Sequence, residues 1–435
     1  MRGATSLKES NDAPLLETQA AASASAAIPL RTLLRSQTFK ALHYRSFALL
    51  WIGMILSNVG TWVQVIAQSL LVLHLTHNSG LALGLVSFAQ AAPFLVFSLV
   101  GGSTADRVDK RRLLLVTQSL QIVYAFMLGA LTITGLVQFW QIAALAVLAG
   151  VTLSFDQPTR FALIPRLVPQ EDLPNAIALN AIVFNGAAIV GPALGGALVV
   201  VIGYAGDFFL NGLSYVAVLI AILLMSFPKV SGTSTSSLLR DIRKGLGYVL
   251  HEPLLAQLLA NYGSLMFFAA VYTVLLALVG VAVLGTTPGQ LGVLYTAIGI
   301  GTVAGSLGVA SLGDFARKGQ LLMVSSLLMS FSVVIFSVLH LYWVSFTLLV
   351  VIGASQTVSS ALSITLLQLN APRNMIGFVM SINTLIVMGI RPLGAFPFGA
   401  LADVIGTSEA LAAGALTAAA ISIYLFASNS KLRSA

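Results

Sequence analysis

The chain has 435 residues, 57% of them hydrophobic and only 8% Asp, Glu, Lys or Arg, against roughly 25% charged in an ordinary soluble domain. That balance excludes a water-soluble globular protein, and the absence of cysteine excludes disulfides, thiolate metal sites and cysteine nucleophiles. A net charge of +8 suggests a nucleic-acid partner only until its distribution along the chain is considered.

Residues 1–46 are polar, carry an Ala/Ser tract at 19–27 and are too poor in apolar residues to build a core. They read as a flexible cytoplasmic tail, with no basic start followed by a short apolar segment and a small-residue cleavage site. Beyond them, windows such as 47–73 and 253–285 run without one charge; about 20 apolar residues in a helix cross a hydrocarbon layer of ~30 Å. Apolar runs bounded by Gly, Pro, Asn or charge clusters predict twelve spans: 47–75, 81–101, 113–134, 137–159, 175–202, 204–227, 254–284, 291–312, 320–340, 342–369, 375–401 and 408–427.

Lys and Arg mark cytoplasmic loops. With the N-terminus inside, basic residues fall in the tail, the loops after spans 2, 4, 8 and 10, a central linker at 228–252 and the end at 428–435, while the expected outer loops at 74–80 and 135–140 hold none. Only Arg391 escapes this assignment. The basic surplus is therefore topological, and no nucleic-acid partner is expected.

The chain also repeats itself. "LGLVSFAQAAPFLVFSLVGGSTADRVDKRRLLLV" from Leu83 aligns without a gap on "LGVLYTAIGIGTVAGSLGVASLGDFARKGQLLMV" from Leu291, which pairs Asp106 with Asp314. A second block, shifted by 203, pairs Gly150 with Gly353, Gly191 with Gly394 and "GALVVVIG" from Gly196 with "GALADVIG" from Gly399. The expected architecture is an all-α membrane protein of two six-helix halves, 47–227 and 253–427, of the kind that rocks around a central site.

Between spans 2 and 3 stands "GGSTADRVDKRR", with six charged side chains in the seven positions from Asp106 to Arg112. Gly102, Asp106, Arg107, Lys110, Arg111 and Arg112 resemble the loop signature of the major facilitator superfamily, with Asp109 where many members have Gly. "FDQPTRFALIPRLVPQEDLPNAIALN" between spans 4 and 5 resembles the enterobactin-exporter-like subgroup, the transmembrane secretion effectors. The resemblance covers about residues 40–427. It implies a gating latch in which Asp106, repeated as Asp314, meets span 11 across the interface between the halves and stabilises the outward-open state. Gly102, one turn earlier, leaves room for that approach. Asp156 and Arg160 share a helix face; either they pair with each other, or Asp156 joins Arg107 or Arg111 in the latch.

"GPALGG" in span 5, with Gly191, Pro192, Gly195 and Gly196, looks like the superfamily's antiporter motif, although Ala187 stands where the fuller pattern has a further glycine; tight packing alone would give a similar stretch. Gly299, Gly301 and Gly305 imitate a phosphate loop but lie inside an apolar span, so helix packing is expected there. No G-x-x-x-x-G-K-[ST] occurs, which points to gradients as the energy source. The superfamily lines its cavity with spans 1, 4, 7 and 10. The resemblance thus makes Asn58, Trp62, Gln64, Gln68, Asn261, Tyr262 and Gln356 candidates for substrate contact, with Asn383 joining from span 11.

Arg391, deep in that span, is expected to pair with a carboxylate or backbone carbonyls, or to meet an anionic or catechol-like substrate. No metal site, cofactor or catalytic constellation is expected, and the chain does not read as an enzyme. The expectation is a bacterial inner-membrane exporter of a small organic compound, siderophore- or drug-like, coupled to protons, with both termini cytoplasmic. An importer or facilitator of the same fold, and a transport-inactive sensor or assembly partner acting through the tail, remain as alternatives. Oligomeric state is left open.

Overall fold

The computed structural model describes residues 37–226, 252–313, 315, 317–372 and 375–428. These form an all-helical bundle: α1 Arg45–Leu75, α2 Gly80–Arg107, α3 Lys110–Ile133, α4 Phe139–Leu167, α5 Leu173–Leu224, α6 Pro253–Ser264, α7 Tyr272–Leu278, α8 Pro288–Leu312, α9 Lys318–Val338, α10 Tyr342–Asn370, α11 Ile376–Leu385, α12 Arg391–Ile405 and α13 Thr407–Ser428. Among the described residues eleven stretches are long and apolar enough to cross a membrane, where only helices or closed barrels satisfy every backbone group. The chain is a multi-pass membrane protein.

Twelve spans are expected from the sequence and eleven are found because 170–224 runs as one stretch. Its break is Gly203, at φ +69° and ψ 177°, a conformation that glycine reaches without steric cost. Contacts with α1 show what the break does. Before it, Asp172 meets Tyr44, the Leu179 carbonyl accepts from Trp51, and Gly191 and Gly195 lie against Trp62 and Val63, so this arm runs parallel to α1. After it, Asn211 lies beside Gly60, Val218 beside Gly53 and Ser226 beside Ser46, so this arm runs antiparallel. The chain turns back at Gly203, between the spans expected at 175–202 and 204–227.

Span 7 is assembled from α6, a π turn at Leu265–Ala269, α7 and a second π turn at Val279–Val283. It is the most enclosed stretch, 61% buried across its apolar window where α1, α4 and α10 are each 39% buried. Span 11 has the same construction: α11, a π turn at Ile386–Ile390, then α12. Such turns displace the helical register and leave backbone groups loosely paired.

One expectation is corrected at the N-terminus. Residues 37–46 are not a loose tail, because Gln37–His43 forms a 3-10 helix and α1 begins at Arg45. Lys40 pairs with Asp172 at 2.8 Å, the Tyr44 hydroxyl donates to the same carboxylate at 2.7 Å, and the Ala41 amide donates to Asn175 at 2.9 Å. Asp172, first through that hydrogen bond and then through its charge, holds the Lys40 ammonium above the ordinary lysine range. The rest of the expected tail, residues 1–36, lies outside the described residues, as do 227–251 of the expected linker and 429–435 at the end.

The sequence repeat is reproduced as packing. Gly150 abuts the Gln90 carbonyl and its counterpart Gly353 abuts that of Ile298. Gly84 abuts Ala395 of α12 as Gly292 abuts Pro192 of α5, and Gly399 abuts Gly80 as Gly196 abuts Pro288. A Cβ at any of these glycines would overlap the facing backbone, which is how small residues bring helices together without a hydrophobic driving force.

Candidate functional site

A cavity of about 660 Å3 lies between α1, α2 and α5 on one side and spans 7, 8, 10 and 11 on the other. Its wall mixes Val, Leu, Ile and Met side chains with Ser and Thr hydroxyls, and Trp62, Gln68, Gln90, Tyr262, Gln356 and Arg391 are spaced around it. An apolar body with a few convergent polar groups is the usual make-up of a small-molecule site. Two phenols are fixed against span 10: Tyr262 donates to Ser360 Oγ at 2.9 Å and Tyr272 to Gln356 Oε1 at 2.9 Å. No Asp or Glu is among the lining residues.

Five of the candidates for substrate contact thus line one cavity: Trp62, Gln68, Tyr262, Gln356 and Arg391. Asn58 and Gln64 face a smaller cavity of about 180 Å3 enclosed by α1 to α5. Asn58 donates to the Met54 carbonyl at 2.7 Å, and Gln64 accepts from Asn211 at 2.6 Å. Asn261 and Asn383 are not among the residues lining either cavity, contrary to expectation. Asn261 is fully buried, donating to Ser326 at 3.2 Å and accepting from Ser422 at 2.8 Å, and so ties span 7 to α9 and α13. Asn383 is buried with its carbonyl oxygen unpaired.

Asp156 sits at the floor of the smaller cavity. Its carboxylate accepts from Thr117 and Gln118 at 2.7 Å each and from Arg160 Nε at 2.6 Å. Between the two sequence readings, the structure has the i,i+4 ion pair; Arg111 instead donates to the Leu223 carbonyl at 2.8 Å. The surroundings of Gly102, the side chains of Asp106 and Arg107, and the whole of Asp314 lie outside what the structure describes. Asp109, the departure from the loop signature, caps α3 by accepting from the amides of Arg111 and Arg112 at 2.8 and 3.3 Å.

The "GPALGG" residues divide over two faces, Gly191 and Gly195 receiving α1 while Pro192 and Gly196 abut α8. Gly299, Gly301 and Gly305 abut the Ala188, Val350 and Ala354 carbonyls, as the packing reading expects.

Two seams close the cavity on one side, α2 against α12 and the first arm of α5 against α8. At the first, Asp403 of α12 reaches the start of α2 and accepts from Ser79 Oγ at 2.6 Å, Gly80 N at 2.6 Å and Leu81 N at 3.1 Å. Ser79 in turn caps the Ala82 amide. Sequence reasoning missed this contact; Ser79 is readable as an N-cap, but its partner is 324 residues away. At the second seam Thr287 and Gln290 form a reciprocal capping box, so α8 satisfies its own first turn.

Residues 36–434 match the profile of a family described as transmembrane secretion effector. The multidrug efflux pump Tap of Mycolicibacterium fortuitum is 23% identical over 361 residues, covering 80% of this chain and 87% of that protein. The staphyloferrin A transporter of Staphylococcus aureus is 23% identical, covering 86% and 94%, and the enterobactin exporter EntS of Citrobacter koseri is 26% identical, covering 72% and 74%. Among solved structures, an inward-facing crystal structure of a bacterial homologue of the human lysosomal transporter Spinster has a TM-score of 0.70 at 13% identity, covering 90% of this chain and 98% of that one. At that identity the likeness is one of fold.

Proposed function

Because the chain belongs to the transmembrane secretion effector family, we propose that this membrane transporter is a secondary active exporter of a small organic compound, siderophore- or drug-like, in a bacterial inner membrane. The observation that carries the reading is the cavity of about 660 Å3 enclosed between segments of the two sequence repeats, with glycine-lined seams along which they part. The named activities of the relatives, drug efflux and siderophore transport, supply the substrate range. The proposal counts α5 as two crossings joined at Gly203, giving twelve spans in two six-helix bundles with both termini cytoplasmic.

In that orientation the Ser79 and Asp403 end is the outer one, and transport alternates between two latches on the same pair of helices. Asp403 at the end of α12 caps the start of α2 when the outer side is closed. Asp106 at the end of α2 meets the start of span 11 when the inner side is closed. Each carboxylate gains amide and dipole interactions at a helix N-terminus, typically ~0.3–2 kcal/mol, a size that lets either latch release on the transport cycle.

Proton antiport supplies the energy in this reading, and Asp207 carries the proton. Asp156 is held by three donors including a guanidinium, whereas Asp207 is fully buried with neither carboxylate oxygen hydrogen-bonded. Ionisable groups placed so in a membrane bundle mark ion pathways.

The test compares deletion and overexpressing cells, with and without iron starvation, for compounds retained and released. A compound held back by the deletion strain and shed by the overexpressor identifies the cargo; identical profiles sink the reading. In inside-out vesicles, uptake of that compound should collapse with the pH gradient and Asp207→Asn should uncouple it. Uptake indifferent to the gradient removes proton antiport.

A further inference from the structure

Arg391 is the one Lys or Arg among the residues lining the large cavity, and no acidic residue lines that cavity with it. It is the first residue of α12, directly after the π turn at Ile386–Ile390 and before the buried Pro392. The sequence leaves two readings for it, an internal partner or an anionic substrate. Its guanidinium makes no hydrogen bond or ion pair with any described residue, so the internal partner is missing. The titratable groups that act on it are the Tyr272 and Tyr262 phenols, which are already committed to Gln356 and Ser360. On its own helix the nearest carboxylate is Asp403, twelve positions or about 18 Å further on, and it is engaged at the start of α2. Asp156, the carboxylate of the neighbouring cavity, is engaged with Arg160.

A guanidinium facing a cavity inside a membrane, with neutral side chains around it and no counter-charge, is costly and persists where a ligand supplies that charge. Its planar fork of donors suits two adjacent oxygens better than a point charge or an amide. Around it the wall offers Trp62, Val65, Met266 and Ile298 for an apolar or aromatic body. We infer that the cargo is an amphipathic organic anion, with a carboxylate or catecholate held by Arg391 and an apolar or aromatic body packed towards Trp62. This rests on the cavity being the cargo site, and it commits the proposed exporter to a charge class that efflux alone does not imply.

The purified full-length chain, in nanodiscs at neutral pH, is titrated with three probes of matched shape, 1-naphthoate, 1-naphthamide and 1-naphthylmethylammonium, each small enough for the cavity. Binding is read by calorimetry. Naphthoate is expected to bind at least about tenfold tighter than the other two, the scale of one charge-assisted pair. Arg391→Gln should bring naphthoate down to about the affinity of the amide, with an unchanged thermal melting profile of the variant reporting a folded chain. Arg391→Lys should keep part of the preference, as a charge without the fork.

Equal binding of all three probes, tighter binding of the cation, a preference that survives Arg391→Gln, or no binding of any probe overturns the inference. Each of these outcomes leaves the cellular export test untouched. A chain that binds naphthoate through Arg391 yet exports nothing keeps the anion site and loses only the exporter.

Discussion

The two seams are built from equivalent positions and are held differently. Gly80 and Gly84 of α2 meet Gly399 and Ala395 of α12; one repeat away, Pro288 and Gly292 of α8 meet Gly196 and Pro192 of α5. The backbone approach is the same in both. What differs is who completes the helix start. Ser79 and Thr287 are equivalent N-caps, but three residues on the second repeat has Gln290 and the first has Ala82. α8 closes its own capping box, while α2 borrows a carboxylate from the other repeat at Asp403, whose counterpart in the first repeat is Val200. One seam therefore only fits, while at the other the first amides of α2 would lose their acceptor if α12 moved away.

The largest effect should come from what the seams share. Gly399→Ala and Gly196→Ala each place a Cβ into a facing backbone carbonyl that cannot rotate aside; overpacking of this kind costs ~1–3 kcal/mol. Both should depress transport, by about tenfold or more, and to similar degrees in vesicle flux assays. A loss at only one of them would break the equivalence.

Next in size is the cap, which separates the seams. Asp403→Ala should weaken closure by ~1–2 kcal/mol, the range for losing an N-cap acceptor. The readout is faster thiol labelling of a cysteine placed at Ser87 in the cavity wall, free of background because the chain has no cysteine of its own. Adding Ala82→Gln to Asp403→Ala sharpens the contrast: helix α2 recovers a local box and its thermal stability, but labelling should stay fast, since the link across the seam is still missing. Recovery of slow labelling would mean that the cap matters only to its own helix.

The smallest change is expected at the other seam. Gln290→Ala should cost α8 ~0.5–1 kcal/mol of local stability, seen as faster amide exchange in its first turn, with cavity labelling unchanged.

Much of this was legible in the sequence, and the reason is the bilayer. With no water to satisfy stray backbone groups, apolar length alone dictates helices, and Gly203 falls between two spans that hydropathy and turn residues mark out. The repeat was readable because glycines at close crossings tolerate few substitutes, so Gly84 with Gly292 and Gly196 with Gly399 hold a common register. The Asp156–Arg160 pair followed from i,i+4 spacing. Rotation of each helix was not readable. Asn261 and Tyr262 are neighbours in a segment apolar all round, where periodicity carries no sign of which face looks inward; one ties three helices together and the other lines the cavity. Nor can a cap supplied from 324 residues away leave a local pattern.

The clamp at the N-terminus has a mechanical consequence. Lys40 and Tyr44 on Asp172 fasten the foot of α1 to the foot of α5, and from there the two run side by side to Val63 and Gly195. Two helices pinned at the base and interlocked along ~30 Å bend far less than either alone. They act as a beam whose far tip is the Gly196–Pro288 crossing, so a small tilt at the foot is delivered there as displacement instead of being lost as flexure.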